Sequence, residues 1–88
     1  MQKETITIKN KLGLHARPAA QFVQIAAQFN SDVFLARDEQ EVNGKSIMGV
    51  MMLAAEMGAQ LALTVRGKDE SEAMSALLEL VKNKFNED

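Results

Sequence analysis

Two hydrophobic periods succeed one another along this 88-residue chain, and the switches between them mark out its elements. Thr5-Ile6-Thr7-Ile8 alternates strictly, the period of a half-buried strand with Ile6 and Ile8 on the core side. From Pro18 onward the period becomes helical: Ala19, Phe22, Val23, Ala26 and Phe29 or Asn30 form a buried stripe, with Gln21, Gln24 and Gln28 on the polar side. Asn30-Ser31-Asp32 breaks that helix. Val33-Phe34-Leu35-Ala36 then reads as a strand, Arg37 to Gln40 as a turn, and Glu41-Val42-Asn43 as a short edge strand. Asn43-Gly44 turns the chain, both residues tolerating positive φ.

Ile47 to Met57 is apolar almost throughout and predicts a short second helix, stopped by a left-handed Gly58. Ser46 stands at its cap position. Val50, Leu53 and Ala54 share one face, which leaves Met48, Met51 and Met52 too many for the same side, so some methionine is expected at the surface. Methionine there suits either an adaptable partner surface or gap-filling in the core. Leu61-Ala62-Leu63-Thr64-Val65-Arg66 alternates again, as a central strand ended by Gly67. Asp69 and Glu72 have capping-box spacing ahead of a third helix, whose buried stripe is Ala73, Met74, Leu77, Leu80, Val81 and Phe85.

The order strand, helix, strand, strand, helix, strand, helix suits an α+β fold in which helices cover one face of one sheet. Periodicity alone leaves a ferredoxin-like arrangement open. At 88 residues, 47% hydrophobic and 25% charged, a single domain over residues 1–88 is expected. The absence of Cys removes disulfides, thiol catalysis and thiolate metal sites, and fits a reducing, cytoplasmic setting. No apolar run approaches the length of a membrane span, and Met1-Gln2-Lys3-Glu4 starts no signal segment. A net charge of −2, with four Phe and neither Trp nor Tyr, argues against nucleic acid as a partner.

Chemistry concentrates in Gly13-Leu14-His15-Ala16-Arg17-Pro18-Ala19, which holds the only His and the only Pro. Proline belongs in the first turn of a helix, where the N–H it lacks would be unpaired anyway, so a helix begins at about Arg17 with His15 just ahead of it. No Ser, Thr, Asp or Asn stands among Leu14, His15, Ala16 and Arg17 to cap the first amides. Open amides, the positive end of the helix dipole and the Arg17 cation form an anion site. An imidazole stands beside it, and a neutral imidazole carries a lone pair able to attack phosphorus. A lone His with no Cys is a poor metal site, and neither a catalytic triad nor a GxxxxGK[ST] phosphate loop is present, so neither metal nor cofactor is expected.

Gly13 to Ala19, together with Lys45-Ser46-Ile47-Met48-Gly49-Val50, resembles the histidine-containing phosphocarrier (HPr) family of the phosphoenolpyruvate-dependent sugar phosphotransferase system. The likeness covers essentially all 88 residues in length, order of segments and both motifs. It implies an open-faced β-sandwich, a four-stranded antiparallel sheet covered on one face by three helices. It implies that His15 takes a phosphoryl group from phospho-enzyme I on Nδ1 and passes it to a histidine of an enzyme IIA, with Ala16 and Arg17 binding the phosphate and Arg17 assisting transfer. Leu14, Ala20, Gln24, Ile47, Met48, Met51 and Met52 become the implied docking residues. Ser46 becomes an implied regulatory site, with HPr kinase/phosphorylase and a transcriptional regulator as further partners of a monomeric carrier that transfers phosphate without being a free-standing enzyme. Asn10-Lys11-Leu12-Gly13 and the acidic end Asn86-Glu87-Asp88 resemble the nitrogen-related branch, whereas Gly44 to Val50 resembles the sugar branch. A purely regulatory binder, as in relatives lacking the histidine, is the remaining alternative, and His15 argues against it.

Overall fold

The computed structural model describes residues 1–86 and contains β1 (Gln2–Thr7), α1 (Ala16–Ala26), β2 (Asp32–Arg37), β3 (Gln40–Asn43), α2 (Ile47–Met52), β4 (Gln60–Arg66) and α3 (Glu70–Lys82). A 3₁₀ turn, Lys84–Asn86, follows α3. The strands form one antiparallel sheet in the order β1-β4-β2-β3, so β4 is central and β3 is at an edge, as its pattern predicts. Register follows from the alternation of side chains. Leu35, Leu63 and Glu4 lie abreast on one face, Phe34 and Thr64 on the other.

The face carrying Leu61, Leu63, Val65, Val33 and Leu35 meets Phe22 of α1, Val50 of α2 and Leu77 of α3 in a single buried cluster that also takes in Ile6, Ile8 and Phe85. The opposite face has no helical cover and carries Phe34, with the Arg66 guanidinium 5.7 Å from its ring centre. This is the open-faced sandwich implied by the resemblance. The ferredoxin-like alternative is thereby set aside, because its strand order would not put β4 between β1 and β2.

Four local expectations change. The second helix ends at Met52, and Ala54 at φ 48 takes the left-handed position assigned to Gly58. Gly58, at φ +91, lies in a later turn, where its N–H donates to the carbonyl of Ile8 at 2.7 Å. Ala54 is consequently exposed, and Ala55 replaces it in the core beside Val50 and Leu53. Gly44 has no positive φ. It is required because a Cβ there would come within 2.5 Å of Val33 Cγ1.

The capping box of α3 is also rearranged. Asp69 is the N-cap, but its carboxylate accepts from the N–H groups of Asn30 and Ser31, each at 2.9 Å, and from the Ser31 hydroxyl. Glu70 accepts from the Gly67 N–H at 3.0 Å, in place of a Glu72 bond. A carboxylate that could cap its own helix instead ties the end of α1 to the start of α3. The donors of Ser31 and Asn30 hold the Asp69 carboxyl below its ordinary range.

Candidate functional site

Helix α1 begins one residue earlier than predicted, at Ala16, with His15 as its N-cap in extended conformation (φ −77°, ψ −171°). Pro18 occupies the third helical position and is buried. The His15 carbonyl receives the first helical hydrogen bond, from Ala19 N–H at 3.0 Å, while its side chain makes no cap bond. The N–H groups of Ala16 and Arg17 take no partner among the described residues, and no acidic residue stands in the first turn. His15 is half-buried, and Ala16 and Arg17 are exposed. A half-buried imidazole thus stands at the head of a helix that lacks a side-chain cap, two residues ahead of the exposed Arg17.

What fixes His15 lies on either side of it. Gly13 adopts φ +70, and a Cβ there would stand 2.3 Å from the Ala55 carbonyl oxygen. That close approach lets Leu14 N–H donate to Ala55 O at 2.8 Å. Asn10, fully buried, donates from Nδ2 to Gly13 O at 2.7 Å, and Gly13 N–H returns to Asn10 O at 3.1 Å. Sequence reasoning missed the structural part played by Asn10. An Asn three residues ahead of a Gly, a common turn signature, was the available signal. Leu14 was expected among the docking residues, but it is only 4% exposed and its side chain packs in the core.

Ser46 caps α2, its hydroxyl accepting from Gly49 N–H at 3.0 Å. The loop ahead of that cap is also tied: Lys45 N–H donates to Asn43 Oδ1 at 2.8 Å and Lys45 Nζ to Phe29 O at 2.7 Å. Val50 and Leu53 face inward, whereas Ile47, Met48, Met51 and Met52 are exposed, Met48 at 76%. Ala20 is half-buried and Gln24 exposed; with Ala16 they recur every four residues along α1, which packs against α2. The exposed methionines favour a surface role over core filling, since only Met74 is deeply buried.

Among the described residues no three His, Cys, Asp or Glu side chains are grouped as metal ligands, and no helix is long and apolar enough to cross a membrane. Glu87 and Asp88, part of the acidic end, lie outside the described residues.

Residues 2–83 match the family model described as the PTS HPr component phosphorylation site. The chain is 52% identical over 87 residues to the phosphocarrier protein HPr of Neisseria meningitidis serogroup A, covering 99% of this chain and 98% of that one. It is similar to the crystal structure of HPr-C-His from Thermoanaerobacter tengcongensis, with TM-score 0.96, 50% identity and coverage of 100% and 99%. A crystal structure of an HPr dimer from the same organism matches with TM-score 0.78 at 50% identity, covering 97% and 98%. With the sheet order, the uncapped histidine-led helix and the serine-capped second helix all in place, the chain belongs to the HPr phosphocarrier family of the phosphotransferase system.

Proposed function

We propose that the chain, as one carrier domain over residues 1–88, shuttles phosphoryl groups in the sugar phosphotransferase system through a transient phosphohistidine at His15. In the forward step a lone pair of the His15 ring, Nδ1 by family resemblance, forms the new P–N bond as the P–N bond of phospho-enzyme I breaks. In the second step a histidine of enzyme IIA attacks the same phosphorus and His15 leaves as neutral imidazole. The observation that carries this reading is the half-buried His15 at the head of a helix whose first amides lack a side-chain cap. Charge that develops on the phosphoryl oxygens meets the N–H groups of Ala16 and Arg17, the dipole of α1 and the Arg17 guanidinium. Exposure of those groups keeps the holding weak, which suits a group that has to leave again. Transfer of this kind depends on positioning and electrostatics, much of it supplied by the partner.

Docking falls to the exposed apolar patch of Ile47, Met48, Met51 and Met52, with Ala20 and Gln24 of α1 beside it. A flexible thioether surface suits a protein that must fit enzyme I and several IIA proteins in turn. Ser46 takes a second, regulatory role: a phosphate there adds about −1.5 to −2 charges at the edge of this patch, favouring the helix start while opposing apolar docking. HPr kinase/phosphorylase and a transcriptional regulator are the partners of that state. The working form is a cytoplasmic monomer, and sedimentation at micromolar concentration checks it against a dimer like the one crystallised from T. tengcongensis.

Rapid-quench transfer tests the proposal. Phospho-enzyme I of the sugar type is expected to load the wild-type chain and to leave His15→Ala unlabelled, and loaded chain is expected to pass its label to an enzyme IIA. Faster loading by nitrogen-type enzyme I would move the chain to the other branch.

A further inference from the structure

Arg37 closes β2 on the same face as Val33 and Leu35, so its side chain runs under the helical layer toward the end of α2. The side chain is 29% exposed and its guanidinium meets three acceptors there: Nη1 donates to Leu53 O at 3.2 Å and to Ala54 O at 3.0 Å, and Nη2 pairs with Glu56 Oε1 at 2.7 Å. The two carbonyls follow the last turn of a six-residue helix, where a cation is favourable. Ala54 itself is a non-glycine residue held at φ 48, a conformation that persists only when its surroundings impose it. The next residue, Ala55, is the one whose carbonyl takes the Leu14 N–H at 2.8 Å and against which Gly13 is pressed. An unbroken line of contacts therefore runs from Arg37 through the 53–56 turn to the residue preceding His15.

We propose that Arg37 is a positioning residue for His15: by clamping the carbonyls of Leu53 and Ala54 and the carboxylate of Glu56, it holds the Ala55 carbonyl where it anchors the histidine loop. As a role in phosphoryl transfer, this rests on the carrier reading above. Arg37 does not touch the reacting atoms. It lends the loop a stiff floor, and the imidazole keeps the orientation that in-line transfer requires. Glu56, 66% exposed, matters chiefly as a third contact that orients the guanidinium fork, since an exposed ion pair alone contributes little.

The test uses Arg37→Ala, Ala54→Gly and the double variant, with amide exchange of the Leu14 N–H followed by NMR beside kcat and KM for loading from phospho-enzyme I. Arg37→Ala is expected to speed Leu14 exchange about tenfold relative to the amides of β4, and to lower kcat about three- to tenfold with KM nearly unchanged. Glycine at 54 adopts the left-handed conformation without a clamp, so the double variant is expected to recover most of both losses. Unchanged Leu14 exchange in Arg37→Ala would overturn the proposal. A rise in KM alone that Ala54→Gly does not correct would also overturn it, since Arg37 would then be a docking residue. A wild-type chain that accepts no phosphoryl group would instead overturn the carrier reading, and Leu14 exchange would still decide whether the clamp exists.

Discussion

His15 serves the fold with its backbone: its carbonyl takes the first bond of α1, and its ring makes no cap bond to that helix. His15→Ala keeps that backbone bond and should remain folded by urea unfolding, with no capacity to take up phosphate. Ser46 behaves differently, because its hydroxyl accepts from Gly49 N–H. Ser46→Ala is expected to cost about 1 kcal/mol in the same assay, whereas Ser46→Asp keeps an acceptor at the cap and should instead slow loading from enzyme I. Asp69 is one of three carboxylates, with Glu56 and Glu70, held below their ordinary range, and each contributes to the pH dependence. The folded pKa of Asp69 lies below the unfolded one, so its stabilisation is complete above the ordinary carboxylate range and is lost as pH falls through the folded value. Asp69→Asn should lower the urea midpoint at pH 7 and flatten its decline below about pH 4; an equal loss at pH 7 and pH 2 would contradict this assignment.

Among the elements, α2 shows how an exposed apolar patch can be carried on very little helix. Val50 and Leu53 anchor six residues to the core while Ser46 and Arg37 satisfy the two ends, leaving Met48, Met51 and Met52 outside. Met48→Ala and Met51→Ala should accordingly raise KM for enzyme I with little effect on kcat or on unfolding, whereas Val50→Ala, which opens a cavity, should cost about 1–3 kcal/mol. Much of this scale was legible in the sequence. Strict alternation marked Ile6 of β1 and Leu61, Leu63 and Val65 of β4 as inward, and the stripe from Ala73 to Val81 marked the buried face of α3. The end of α2 was not legible, since Leu53, Ala54 and Ala55 are good helix formers and only long-range contacts, from Arg37 and from Leu14, stop the helix there. For the same reason Asp69 reads locally as a cap for α3, while its actual partners, Asn30 and Ser31, lie 39 and 38 residues away in sequence.

Across the whole molecule, one layer of helices over one sheet leaves His15, the methionine patch and the Ser46 cap on the helical layer, away from the open face that carries Phe34 and Arg66. On the proposed carrier function no enclosed pocket is required, because a docked partner would complete the site and exclude water during transfer. The histidine and serine motifs were legible as chemistry in the sequence; the backbone joints that bring Gly13 and Leu14 against Ala55 were not, because glycine and alanine advertise no partner. The most direct test of the central claim is peptide mapping of the chain after brief incubation with phospho-enzyme I and phosphoenolpyruvate. The expected result is a single phosphoryl group on the peptide containing His15, lost in mild acid and preserved in base. An acid-stable phosphate elsewhere with His15 unmodified would contradict it.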